Sequence, residues 1–296
     1  MRRLCLLGFL LALLPTPLTA APFELKPTDR LVLIGSTLVE REQRHGYWEA
    51  MLTARAPGLK VRNLGWSGDD VTGVARRAFE LRDLDFGRKL LVDRTIAEKP
   101  TVILICYGGN EAFEGDAGLP KFKKGLEKLL DELAPTMARI GLMSPPPLED
   151  KGRPLPDPAA QNKRLAVYRD AIKQVADARG LYFADLFEAL GAGKEPLTGL
   201  TDNGLHFTAD GYKRTTGAFA KSLGLPENGG FSESLEPVRE AIRKKNDLFF
   251  YKWRPQNETY LTGFRKHEQG RNAKDAAEFD PLVAAAEGDI EKLLRK

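Results

Sequence analysis

Cysteine is scarce in this sequence, and its distribution excludes a disulfide framework. The 296 residues contain two cysteines, Cys5 and Cys106. Cys5 lies in the apolar N-terminal segment, so a mature chain without that segment keeps Cys106 alone and cannot form an intramolecular disulfide. Cys106 ends an apolar run, and no second cysteine or nearby histidine accompanies it. We therefore expect a small buried hydrophobe rather than a catalytic thiol.

Long apolar runs are also missing, apart from one at the N-terminus. Residues 4–14 form an apolar core behind Arg2 and Arg3, and small residues follow up to Ala21. This pattern is typical of a secretory signal peptide, and its core is too short to span a bilayer. We expect residues 1–21 to be removed and the mature protein to be exported, periplasmic or secreted, and free of the membrane. An uncleaved membrane anchor is the alternative.

Neither sign of charge is in clear excess. The net charge is +4, and removing Arg2 and Arg3 from the 45 basic residues leaves 43 against 41 acidic residues. This balance argues against a nucleic-acid or membrane-surface partner. The sequence lacks the glycine-rich segment ending in Gly-Lys-Ser/Thr that cradles phosphates. His267 and Glu268 have no further ligand at a spacing suited to zinc. We expect neither a cofactor nor a metal.

Short apolar runs alternate with helical patterns along most of the chain. Five runs have the length of buried strands and end in turn-forming residues, namely residues 31–34, 61–64, 102–106, 140–143 and 182–184. Amphipathic patterns predict helices over residues 122–133, 162–178 and 211–223. Strands alternating with helices indicate a mostly parallel sheet covered on both faces, which is an α/β fold built as a three-layer αβα sandwich.

The remainder of the chain predicts a helical extension. Residues 226–230 are typical of a linker because they combine proline with glycine. Three segments follow it: a charged helix over residues 236–245, an aromatic run over residues 248–253, and a terminal helix over residues 279–294. An extension of this size holds no large core of its own. We expect residues 231–296 to pack on the main domain through the aromatic run, with docking of a second protein or polymer as the alternative.

Four polar segments carry the residue types that ester hydrolysis needs. Ester hydrolysis requires a hydroxyl nucleophile, a histidine to accept its proton, a group that orients the histidine, and N–H donors for the oxyanion. The segments are residues 35–38, 67–69, 108–111 and 202–206. In chain order they offer a hydroxyl on Ser36 or Thr37, the backbone N–H of Gly68, the side-chain amide of Asn110, an orienting group on Asp202 or Asn203, and the imidazole of His206.

In order and spacing these segments resemble the SGNH/GDSL hydrolase family. Its blocks are a Gly-Asp-Ser-Leu sequence after the first strand, an oxyanion glycine, a Gly-x-Asn segment and an Asp-x-x-His pair. The resemblance covers residues 29–225. It implies a flavodoxin-like, five-stranded domain over residues 28–226, an acyl-enzyme mechanism, and O-acyl groups on carbohydrate as substrate. Three further segments, residues 41–48, 63–69 and 253–258, resemble an exported, planctomycete-like branch of this family.

Two positions depart from the family pattern. Thr37 stands where the family has its nucleophilic serine, and Ser36 stands where it has aspartate. We favour Thr37 as the nucleophile on register, because neighbouring side chains leave a turn in different directions. Asn203 stands three residues before His206, where the family has aspartate, and Asp202 is one residue further away. Both remain candidates for orienting the imidazole.

The altered nucleophile position leaves two functions open. One is an exported ester hydrolase that removes O-acyl groups from a small-molecule or polysaccharide ester by a Ser/Thr–His–Asp/Asn mechanism. The other is a degenerate family member that binds a glycan or a protein without turnover. Thr37 also has an interpretation as a helix cap, and His206 as a packing residue. His45 is a second candidate base, although its charged neighbours favour a solvated face.

Overall fold

The computed structural model describes residues 23–77, 80, 82–193, 197–226 and 230–295. The predicted signal peptide, residues 1–21, lies outside these ranges, as do residues 227–229 of the predicted linker. None of the helices in the described ranges combines the length and the apolar character that crossing a bilayer requires.

A parallel sheet forms the centre of the fold. Its strands are β1 (Arg30–Gly35), β2 (Lys60–Asn63), β3 (Val102–Cys106), β4 (Arg139–Met143) and β5 (Tyr182–Ala184). All neighbouring strands pair in parallel, in the order β2-β1-β3-β4-β5. This is the flavodoxin-like order. Each predicted apolar run forms one strand, so the predicted α/β sandwich is confirmed.

Helices cover both faces of the sheet and continue beyond it. In the described residues the α-helices are α1 (Thr37–His45), α2 (Tyr47–Arg55), α3 (Phe86–Ala97), α4 (Leu119–Leu133), α5 (Ala159–Arg179), α6 (Leu186–Ala189), α7 (Ala209–Arg214), α8 (Thr216–Ser222), α9 (Glu236–Trp253), α10 (Glu258–Leu261), α11 (Lys266–Gln269) and α12 (Phe279–Leu294). Short 3₁₀ helices lie at Val74–Arg77, Glu111–Ala117, Ala134–Thr136, Gly191–Gly193, Glu233–Leu235 and Gly270–Glu278.

The predicted helix over residues 211–223 is wrong in one respect, because two helices, α7 and α8, occupy this range. They meet at Thr215, which is buried. Its hydroxyl lies 3.2 Å from the Tyr212 carbonyl and accepts a hydrogen bond of 3.2 Å from the Trp48 indole N–H. Side-chain bonding of this kind competes with regular helix geometry.

Alternation along the strands divides the core between the two faces. Ile103 and Ile105 of β3 pack with α3, α4 and α5, whereas Leu104 and Cys106 pack with α2, α7 and α8 on the opposite face. Side chains in a strand point alternately to the two faces, so a sheet covered on both sides has continuous apolar strands. Cys106 is 4% exposed, which confirms the prediction that it is buried.

Two of the helices after residue 230, α9 and α12, pack on the β2 side of the sheet. α9 contacts α1, α2, β2 and α12. Phe249 and Trp253 are buried in the core, while Tyr251 is 48% exposed. Lys245 is buried and donates to the Glu49 carboxylate and the Val61 carbonyl. The charged and the aromatic segments predicted separately thus form one helix with one buried stripe.

Candidate active site

A small cleft opens beyond the carboxyl ends of β1 and β3, the edge at which parallel sheets of this kind bind ligands. Its volume is about 60 Å³. The polar side chains that line it are Ser36, Thr37, Asn110 and His206. Leucines and prolines form much of the remaining wall, among them Leu38, Pro146, Leu148, Leu165 and Leu205. Residues that are up to 170 positions apart in the sequence therefore share one cavity.

The turn after β1 brings two hydroxyls to the cleft. Gly35 is required there, because a Cβ at this position would lie 2.5 Å from the Cys106 carbonyl oxygen. Ser36 occupies the N-cap position of α1 without a side-chain cap bond, so Thr37 is not the helix cap. The Thr37 hydroxyl accepts a hydrogen bond of 3.2 Å from the Gly68 N–H. Across the described ranges, the Ser36 hydroxyl has no hydrogen-bond partner.

The loop that carries Gly68 is fixed by the buried carboxylate next to it. Asp69 accepts hydrogen bonds from the Arg76 guanidinium at 2.6 Å and from the Tyr107 hydroxyl at 2.8 Å. Burial raises the pKa of Asp69, while Arg76 opposes the rise. The Asn110 side-chain amide donates to the Asp69 carbonyl at 2.7 Å. One amide proton of Asn110 is thereby used, and the second is free to donate into the cleft.

The imidazole of His206 contacts the side chain of Asn203, with 3.0 Å between Asn203 Nδ2 and His206 Nδ1. The backbone N–H groups of Leu205 and His206 both donate to Asn203 Oδ1, at 3.1 and 3.0 Å. These two bonds orient the amide so that its NH₂ group faces the ring. Nδ1 must then accept, which puts the proton of the neutral ring on Nε2. In this part of the structure no hydrogen bond joins the ring to Ser36 or Thr37.

The side chain of Asp202 points to Arg41 rather than to the imidazole of His206. Its carboxylate pairs with Arg41 at 2.7 Å. Burial lowers the pKa of His206, the positive charge of Arg41 lowers it further, and Asp202 opposes both effects. Of the two candidates for orienting His206, the structure thus brings Asn203 to the ring and Asp202 to an arginine.

Replacing Arg41 by alanine should therefore raise the pKa of His206, since one cause of its depression is removed and Asp202 is released. As the pH is lowered, any reaction that needs neutral His206 should then be lost at a higher pH than in the wild type. NMR titration of the His206 Cε1 proton measures the pKa without requiring activity. Arg44→Ala is the matched control, because Arg44 lies on the same helix and lowers the pKa of His45 instead. An unchanged or lower His206 pKa in Arg41→Ala would contradict the assignment.

His45 lies outside the cleft, at the far end of α1. His45 is eight positions after Thr37 in the same helix, which corresponds to about 12 Å along the axis. Its ring is half-buried against Tyr212, with 5.0 Å between centroids, so the predicted solvated face is wrong. Burial and then the neighbouring arginines, Arg41 first, lower its pKa to about 4.

Two carboxylates that hold the site together were not predicted from the sequence. Glu111 accepts N–H bonds from Gly108 and Val71, and burial raises its pKa to about 7. Glu149 is buried and accepts the backbone N–H of Thr201, which ties the loop carrying His206 to the loop after β4. Glu149 follows a run of prolines, a loop signal that gives no indication of its partner.

Fold and cleft together define an ester hydrolase of the αβα-sandwich type. A model of the GDSL-like lipase/acylhydrolase family matches residues 34–214, which is more than half of the chain. The chain belongs to this family. The expected membership is thereby confirmed.

Curated plant proteins are among its relatives. The chain is 26% identical over 207 residues to GDSL esterase/lipase CPRD49 of Arabidopsis thaliana, covering 64% of this chain and 76% of the relative. It is 23% identical over 201 residues to GDSL esterase/lipase WDL1 of rice, Oryza sativa subsp. japonica, covering 62% of this chain and 72% of the relative.

Solved structures share the fold. A catalytic mutant of Axe2, an acetylxylan esterase from Geobacillus stearothermophilus, is 20% identical with a TM-score of 0.51, over 68% of this chain and 97% of that one. LAE5, an alpha/beta hydrolase enzyme from the metagenome of Lake Arreo, Spain, is 21% identical with a TM-score of 0.52, over 69% and 98%.

Proposed function

We propose that this protein hydrolyses short O-acyl esters on carbohydrates, with Thr37 as nucleophile and His206 as general base. The observation that carries the proposal is the cleft shared by the Thr37 hydroxyl, the His206 imidazole and the Asn110 amide. The Gly68 N–H bonds to that hydroxyl. A cavity of about 60 Å³ suits an acetyl group better than a long acyl chain. The fold of an acetylxylan esterase, which this chain resembles, supports a carbohydrate ester.

The proposed first step forms an acyl-enzyme. Thr37 Oγ1 attacks the ester carbonyl carbon, and its proton passes to His206 Nε2. The oxyanion accepts hydrogen bonds from the Gly68 N–H, the Asn110 amide and the Thr37 N–H, which opens α1 and has no acceptor within the helix. The bond to the leaving alcohol then breaks, and the imidazolium gives its proton to that alcohol. Water repeats the sequence on the acyl-threonine, releasing the carboxylic acid and the free hydroxyl.

Thr37 is preferred to Ser36 on contacts as well as on register. The hydroxyl of Thr37 already bonds to the Gly68 N–H, so nucleophile and oxyanion donor lie next to each other before substrate arrives.

The acetylxylan esterase has an aspartate in its histidine block. Its catalytic mutants replace a serine, this aspartate and a histidine that lies three residues after the aspartate. The same spacing joins Asn203 to His206.

The contact between Asn203 and His206 favours a second function, binding of an acylated glycan without turnover. General-base catalysis needs a lone pair on Nε2, whereas the observed amide orientation puts a proton there. The productive tautomer requires the Asn203 amide to turn and to give up two backbone hydrogen bonds. We therefore propose slow turnover as the first function and binding alone as its competitor. The signal-peptide pattern of residues 1–21 supports either function outside the cytoplasm.

Turnover of p-nitrophenyl acetate, butyrate and octanoate, together with acetylated xylo-oligosaccharide, tests the proposal. We expect activity on acetate and on the oligosaccharide that falls steeply with chain length. A widened cleft in Leu165→Ala should extend activity to butyrate, and Val167→Ala, on the exposed face of the same helix, is the control. Absence of turnover with intact oligosaccharide binding would establish the competing function, and absence of both would reject the proposal.

A further inference from the structure

Arg254 of the helical extension lies behind the loop that carries Gly68. Its guanidinium carbon is 3.6 Å from the centroid of the Trp66 ring, within cation–π distance. Its Nη1 lies 3.2 Å from a carboxylate oxygen of Glu40 on α1. Two segments that the sequence sets apart, residues 63–69 and 253–258, therefore meet at this point.

Glu40 links Arg254 to the loop that carries Gly68. Its side chain is 5% exposed. The oxygen that pairs with Arg254 is also the acceptor for the backbone N–H of Ser67, the residue before Gly68. On the other side of Gly68, the Asp69 carboxylate is bound to Arg76 and Tyr107. The loop is thus held on both sides of Gly68. Asp69 is held by residues of the domain, and Ser67 is held by Glu40, which pairs with Arg254 of the extension.

Gly68 faces open space on the side where a Cβ would stand. Its φ is +77°, and a Cβ built on it would meet no atom within 4 Å. Apart from its bond to the Thr37 hydroxyl, its N–H is aimed by the residues on either side. Placement matters because an oxyanion donor acts over hydrogen-bond distance, and a misplacement of about 1 Å can cost a hundredfold in rate.

We propose that Arg254 is a positioning residue for the oxyanion hole, acting through Glu40 and Trp66 on the Gly68 N–H. The extension is then part of the active-site architecture. This inference rests on the proposed function for the role of Gly68. None of the described residues of the extension lines the catalytic cleft, so Arg254 acts on the loop and not on the substrate.

Arg254→Ala, Arg254→Lys and Arg243→Ala test the proposal in the full-length protein. Arg243 is the matched control: it lies on α9, which ends just before Arg254, and donates to the carbonyl of Arg44 on α1. Among the contacts of the described residues, none joins Arg243 to the loop that carries Gly68. Hydrogen exchange of a peptide spanning residues 63–70 measures loop order without requiring activity. kcat and KM for p-nitrophenyl acetate measure the consequence for chemistry.

We expect Arg254→Ala to speed exchange in residues 63–70 and to lower kcat about 10- to 100-fold with little change in KM. Arg254→Lys keeps the positive charge but not the flat contact with the Trp66 ring, so its kcat should lie between those of Arg254→Ala and the wild type. Because it is the milder change, it also tests the proposal if Arg254→Ala does not fold. Arg243→Ala should match the wild type in both measurements.

Equal losses of kcat in Arg254→Ala and Arg243→Ala would show that Arg254 only helps to dock the extension on the domain. That result would overturn the proposal. Unchanged exchange in residues 63–70 would overturn it as well. A wild type without esterase turnover would instead reject the proposed function, and the exchange measurement would still decide whether Arg254 holds the loop.

Discussion

Asn203→Asp is expected to raise kcat for an acetyl ester by about 10²- to 10⁴-fold. A carboxylate at this position accepts the Leu205 and His206 backbone N–H groups as the amide oxygen does, and its second oxygen accepts from Nδ1–H. The imidazole then presents a lone pair on Nε2. The reverse change in a serine protease lowers kcat by about 10⁴, mainly by selecting the wrong tautomer. The measurement is kcat of both proteins at pH 8, above the ordinary pKa of histidine.

Asp202→Asn is the matched control for this gain. It alters the neighbouring residue, whose carboxylate pairs with Arg41 and not with the ring. At pH 8 we expect kcat close to that of the wild type. A large loss in Asp202→Asn, without a gain in Asn203→Asp, would show that Asp202 orients His206 during turnover and that the Asn203 contact is incidental.

Thr37→Ala and His206→Ala are each expected to lower kcat by at least about 10³-fold. Nucleophile and base act as a unit, so the double variant should be no slower than either single variant. Thr37→Ser keeps the hydroxyl and removes a methyl group that restricts its rotamers, and it should retain or increase the rate.

Ser36→Ala distinguishes Thr37 from Ser36 as the nucleophile. Ser36 lines the same cleft but its hydroxyl makes no hydrogen bond in the described ranges. We expect Ser36→Ala to keep most of the wild-type rate. If Ser36→Ala abolishes turnover and Thr37→Ala does not, the turn after β1 presents the other hydroxyl and the register is wrong.

Apolar runs were sufficient to predict the strands, because a strand buried on both faces has few polar positions and stops where the chain turns. Helix ends were less predictable. The break between α7 and α8 depends on Thr215, whose hydroxyl is held by Trp48 from a helix more than 160 residues earlier. Periodicity within one segment carries no information about such a partner.

The segments that form the cleft were predictable for a related reason. The carboxyl ends of β1 and β3 meet at one edge of a parallel sheet, so residues after these strands converge. The choice between Asp202 and Asn203 was not predictable, since it depends on Arg41 and on two backbone N–H groups of the same loop. The contact of Arg254 with Trp66 and Glu40, beside the loop that carries Gly68, likewise depends on how α9 lies against α1.

Covalent trapping tests the central claim most directly. A small fluorophosphonate reacts with an activated hydroxyl, and peptide mass spectrometry locates the adduct. Reaction of the full-length protein should give one adduct, on Thr37, formed faster in Asn203→Asp and not at all in His206→Ala. An adduct on Ser36, or one on Thr37 that forms equally well without His206, would contradict the proposed mechanism.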